Sequence, residues 1–168
     1  MSKAIMLGIE KEWKLIHEET VETPWKNLII NTDDEGNTFA CRELLIMASG
    51  VTDDTSGTRG FNIYLSSGEN FDNDGYIATQ FAFHKSGAVD IPTSFPQVRA
   101  YITLIKNNAI AITSAVENSP NNSRGNAGAN LVVAFNNPAI NDFCKNIKLV
   151  VAGGKTLQAG SWVKIYGR

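Results

Sequence analysis

Apolar residues recur at every second position in short runs bounded by Gly, Asn, Asp, Ser and Pro, and this pattern constrains the fold more than any other feature. Side chains of an extended strand alternate between two faces, so a period of two marks strands with one face buried. The run Tyr76 to His84 places Ile77, Thr79, Phe81 and Phe83 on one face. Val98, Ala100, Ile102 and Leu104 alternate with Gln97, Arg99, Tyr101 and Thr103, and Asn107-Asn108 then supplies a tight turn into Ile110, Ile112 and Ser114, which reads as a hairpin. Leu131, Val133 and Phe135, then Ile147, Leu149 and Val151, then Val163 and Ile165 obey the same rule. Trp13 to Val21, Asn27 to Thr32, Glu43 to Gly50 and Phe61 to Ser66 are the earlier strand candidates.

About nine strands with little helical periodicity predict an all-β fold, a two-sheet antiparallel β-sandwich with the jelly roll as its form. An immunoglobulin-like sandwich is the alternative, but its disulfide-and-tryptophan core pattern is missing. Asn137 to Phe143 reads as either a short helix or a turn-like segment. At 168 residues the chain forms one domain, residues 1–168, large enough to bury a core without disulfides or metal.

Composition excludes several function classes. A formal net charge of -2 argues against a broad polyanion-binding face, and so against nucleic acid as a partner. The apolar residues at the start meet Glu10-Lys11-Glu12 too soon for a signal peptide or a membrane span, so synthesis and folding in a cytoplasm without membrane insertion are expected. Cys41 and Cys144 form no CxxC motif and have no cluster of His or Cys beside them, and with the cytoplasmic character of the chain both are expected as reduced, unpaired, buried thiols.

No motif carries catalysis. Asp54-Thr55-Ser56-Gly57 differs from the aspartic protease loop in its glycine position and has no second copy, so a solvated turn is the preferred reading. Asp72-Asn73-Asp74-Gly75 supplies a fragment of a calcium loop, but the bidentate acid that should follow is absent and an Asx turn is preferred. Asn137-Pro138-Ala139 matches a water-channel tripeptide without a membrane span to hold it. His17 and His84 lack both a nucleophile elbow and metal-ligand spacing, and read as surface or strand-packing residues. Gly153-Gly154 leads to a strand, not to a phosphate-binding helix. The expectation is therefore no enzyme, no cofactor and no metal, with metal-dependent cupin chemistry as the third choice of function.

The candidate binding residues lie at turns and loops. Trp13, Trp25 and Trp162 offer faces for sugar stacking, and Trp25, following Pro24, is the one expected to be accessible. Asp72, Asp74 and Tyr76 in one polar loop, and Asn121, Asn122 and Arg124 in another, combine the carboxylates, amides and aromatic ring that a hydroxyl array calls for. Solvated turns are the competing reading of both loops. The segment from Glu117 to Gly128 is expected to be a mobile surface loop.

Glu12-Trp13-Lys14-Leu15-Ile16-His17-Glu18-Glu19-Thr20-Val21-Glu22, the following Leu28 to Ile46 with its Asp-x-x-Gly-Asn turn, and the ending Ala159-Gly160-Ser161-Trp162-Val163-Lys164-Ile165-Tyr166-Gly167-Arg168 resemble small structural proteins of bacteriophages and prophages of Gram-positive bacteria. The resemblance covers both ends, about a quarter of the chain by the segments named, and rests on strand and turn patterns. It implies a jelly-roll virion component of a tail, baseplate or head appendage, located in the virion after synthesis in the bacterial cytoplasm. Its partners would be other virion proteins and further copies of itself, a trimer in particular, with host-surface glycan at the end loops. A free carbohydrate-binding module or lectin is the alternative, since the fold permits both.

Overall fold

The computed structural model describes residues 12–55, 59–71, 76–79, 98–105, 108–115, 131–136 and 142–168. Among the described residues ten strands follow one another: β1 (Lys14–Thr20), β2 (Asn27–Ile30), β3 (Glu43–Ser49), β4 (Phe61–Ser66), β5 (Tyr76–Ala78), β6 (Val98–Ile105), β7 (Asn108–Ala115), β8 (Leu131–Asn136), β9 (Asn146–Val151) and β10 (Trp162–Gly167). The only helical element among the described residues is a 3-10 turn at Ala152–Gly154. The strands form two antiparallel sheets, one ordered β1-β10-β3-β6-β7-β8 and the other β2-β9-β4-β5. The fold is thus all-β, a two-sheet antiparallel sandwich.

Alternation decides which side chains enter the space between the sheets. Leu44, Ile46 and Ala48 of β3, Val98, Ala100 and Ile102 of β6, and Val163 and Ile165 of β10 are fully buried. Phe61, Ile63 and Leu65 of β4, Ile77 of β5, and Ile147, Leu149 and Val151 of β9 meet them from the other sheet. Burying a side chain of this size contributes about 1.5–3 kcal/mol, which makes this double row the main source of stability. The intervening residues Leu45, Met47, Tyr101 and Tyr166 are half-buried on the outer face of the larger sheet. The expected hairpin is present as β6 and β7, paired from Val98–Ala115 to Ile105–Asn108. The expected strand Tyr76 to His84 is described only as far as Thr79, and most of the Asn137 to Phe143 segment lies outside the described residues.

Edge strand β1 is covered by the turn at residues 33–37. The Asp34 N–H donates to the Ile16 carbonyl (3.0 Å), and the Glu18 N–H donates to Asp34 Oδ2 (2.9 Å). This satisfies backbone groups that an edge otherwise leaves open to pairing. The turn closes through Gly36, whose φ of 84° lies in the left-handed region that glycine enters without strain. His17, on the same strand, contacts Asp34 Oδ1 through Nδ1 at 2.7 Å, which makes it a strand-packing histidine; His84 lies outside the described residues.

One expectation is corrected. Asp54 does not sit in a solvated turn: its residue exposure is 2%, and its carboxylate is ion-paired with the Arg59 guanidinium. A carboxylate can be buried when a cation supplies the compensating charge. Cys41 and Cys144, remote in sequence, stand directly opposite one another in an isolated antiparallel bridge. Both are buried thiols, as expected, but their distance along the chain says nothing about their distance in space.

Candidate functional site

The outer face of the four-stranded sheet carries an aromatic row. Strand register aligns Ile29 of β2 with Lys148 of β9, Lys148 with Tyr64 of β4, and Tyr64 with Tyr76 of β5. These four positions alternate with the buried residues of their strands, so their side chains emerge together on the solvent side. Tyr76 is 41% exposed and Ile29 54% exposed.

Cross-strand neighbours on one face are close enough for their side chains to interact, and these do. The Tyr64 and Tyr76 rings lie with centroids 5.3 Å apart, tilted by 40°. The Lys148 ammonium sits over Tyr64 at 5.1 Å and over Phe71 at 5.8 Å. A cation over an aromatic face is held by the ring quadrupole, which keeps the ammonium on the surface among the rings. The next row of the same face holds Asn27, Val150, Asn62 and Ala78, also in register.

The segment after β4 is pinned beside this row. Ser66 is buried, and its hydroxyl donates to the Asn70 carbonyl (2.6 Å) while accepting from the Gly68 N–H (3.1 Å). Ser67 Oγ donates to the Phe143 carbonyl and Asn146 Nδ2 to the Gly68 carbonyl. These bonds bring Phe71 to Lys148. Phe71 and Tyr76, the described residues on either side of 72–75, therefore both lie at the patch.

Of the residues expected from sequence, Tyr76 belongs to this row. Asp72, Asp74, Asn121, Asn122 and Arg124 lie outside the described residues. Trp25 is elsewhere: it is half-buried, stacks on Phe61 with centroids 6.0 Å apart and planes 13° from parallel, and donates its indole N–H to Glu19 Oε1 (3.1 Å). It closes one end of the core, with less free ring face than its place after Pro24 predicts. Trp13 packs edge-on against Tyr101 at 5.9 Å and has the Arg168 guanidinium over it at 4.8 Å. Sequence reasoning missed Phe71, Tyr64 and Lys148. Alternation in Phe61 to Ser66 turns Tyr64 outward, but nothing local announces that β9 lies beside β4.

The row offers two tilted phenol rings, a third ring and a fixed ammonium on an open surface. Ring faces pack against the C–H face of a pyranose, while phenol hydroxyls, amides and the ammonium serve its oxygens. Among the described residues, no three His, Cys, Asp or Glu side chains converge as a metal site.

No family model and no curated protein matches the chain. Among solved structures, an alginate lyase from Pseudomonas aeruginosa aligns over 92% of this chain and 70% of its own, at 13% identity and a TM-score of 0.22. A superposition that poor carries no argument about fold or activity.

Proposed function

We propose that this chain is a non-enzymatic module of a bacteriophage or prophage virion that contacts host-surface glycan. The observation that carries the glycan reading is the outward row Tyr64, Tyr76 and Lys148, with Phe71 beside it. The virion reading rests on the patterns at the two ends of the sequence, whose strands β1 and β10 pair with each other from Lys14–Gly167 to Thr20–Trp162.

The strand order supports a jelly roll. Successive strands β1 to β4 alternate between the sheets, as do β8, β9 and β10. Taken without β7 and β8, the orders β1-β10-β3-β6 and β2-β9-β4-β5 are those of two four-stranded jelly-roll sheets, with the β7–β8 pair added at one edge. Self-association is supported by the half-buried Leu45, Met47, Tyr101 and Tyr166 on the outer face of the larger sheet and by Leu15, which is 38% exposed, and the trimer is the stoichiometry taken from the resemblance.

A free carbohydrate-binding module or lectin rests on the same aromatic row. Electron microscopy of phage particles labelled with an antibody to this chain separates the two. Label on the particles supports the virion reading, and glycan binding without particle label supports the lectin.

A further inference from the structure

The isolated bridge between Cys41 and Cys144 joins the two sheets where each begins a strand. Cys41 lies two residues before β3 in the larger sheet, and Cys144 two before β9 in the smaller one. The two residues exchange both backbone hydrogen bonds, Cys41 N–H to the Cys144 carbonyl at 3.0 Å and the reverse at 2.8 Å. Residues paired in this way have Cα atoms about 5.5 Å apart, inside the span a disulfide bridges. Side chains of directly opposed residues point to the same face, and the two thiols are within electrostatic reach of each other.

The thiols differ in access. Cys144 is fully buried, and its Sγ contacts the Asn146 carbonyl at 3.1 Å. Cys41 lines a cleft of about 390 Å³ with Ile16, Phe39 and Gly167 beside it, and its charged residues balance: Lys14 and Arg168 against Glu12 and Asp33. The Cys41 sulfur fills the space next to the Gly167 Cα that a Cβ would occupy. The Lys14 ammonium is within electrostatic reach of it.

We propose that Cys41 and Cys144 are a latent disulfide pair, closed by exchange with a low-molecular-weight disulfide that reaches Cys41 through this cleft. Cys41 thiolate attacks one sulfur of the small disulfide; a Cys41 mixed disulfide forms and one small thiolate leaves. The Cys144 sulfur then attacks Cys41, the mixed bond breaks, and the second small thiolate departs with the Cys144 proton. The protein loses two electrons and two protons, and the small disulfide is reduced to two thiols. The order follows from the burial of Cys144, which pushes its pKa up to about 12 and disfavours it as the first attacker. Closing the pair ties the two sheets together and closes a loop of about 100 residues, a length at which cross-linking strongly restricts the unfolded chain.

The full-length chain is equilibrated in buffers of reduced and oxidised glutathione, folded and again in urea, and the internal disulfide is quantified by mass spectrometry of unreduced peptides. Unfolding in urea lets both thiols exchange, so slow access in the folded state is checked by refolding into the same buffers. The expected result is an effective thiol concentration about 100-fold higher in the folded chain than in urea. A ratio above ten supports the pair, and a ratio of ten or less overturns it. The C144S variant is expected to hold a glutathione adduct on Cys41 when folded, while folded C41S stays unmodified. The reverse pattern overturns entry through the cleft.

Discussion

Lys14 and Asp33 are joined by a 2.7 Å ion pair in which the ammonium is 64% exposed and the carboxylate only 4% exposed. The same carboxylate accepts the Glu35 and Asn37 N–H groups at 3.1 and 2.8 Å, so it organises the 33–37 turn while tying that turn to β1. The Lys14 hydrogen bond and then the Asn37 N–H hold its carboxyl below the ordinary value of 3.8. A group whose pKa is depressed by folding adds stability above its unfolded value, lost as pH falls through the folded one. The thermal midpoint is therefore expected to fall as pH drops below about 4, and more steeply in the parent than in Asp33→Asn. Melting curves of both proteins from neutral to strongly acidic pH check this; equal slopes would contradict it.

Phe61 is fully buried and has Trp25 stacked on it. Phe61→Ala is expected to destabilise the fold by about 3–5 kcal/mol, from lost burial and the cavity left behind. Chemical denaturation measures this, and a loss under about 1 kcal/mol would remove Phe61 from the centre of the core.

Much of this architecture is written locally. Phe61 to Ser66 is a strand with the bounds its alternation predicts, and Ile147, Leu149 and Val151 are buried as their spacing requires. Pairings between distant segments are not local. Cys41 meets Cys144, and Tyr64 meets Lys148, because β9 joins the smaller sheet after three strands of the larger one have intervened. The burial of Asp54 is hidden for the same reason: Asp, Thr, Ser and Gly signal a turn, but which cation covers the carboxylate depends on tertiary packing.

Gly50 follows β3 at a point where a Cβ would overlap the Ser161 side chain and approach Leu157 to 3.1 Å. Ser161 is buried there, with its Oγ accepting the Val51 N–H at 3.2 Å. Gly50→Ala is expected to cost about 1–3 kcal/mol by overpacking. A melting temperature unchanged from the parent would show that this corner gives way freely.

Self-association is checked by light scattering across a concentration series. A trimer mass is expected, reduced when Leu45 and Met47 are replaced by Ser on the outer face of the larger sheet. Monomer alone at high concentration contradicts the trimer.

The measurement that bears most directly on the proposed function is binding of the purified chain to cell-wall glycan of Gram-positive bacteria, compared with Tyr64→Ala, Tyr76→Ala and Lys148→Ala. The account predicts saturable binding by the parent, weakened on the order of 10-fold by each tyrosine change. The Tyr76→Ala melting temperature should stay near the parent's, since Tyr76 is an exposed position on a short edge strand. Undiminished binding by all three variants, or no binding by the parent to any wall preparation, would contradict the account.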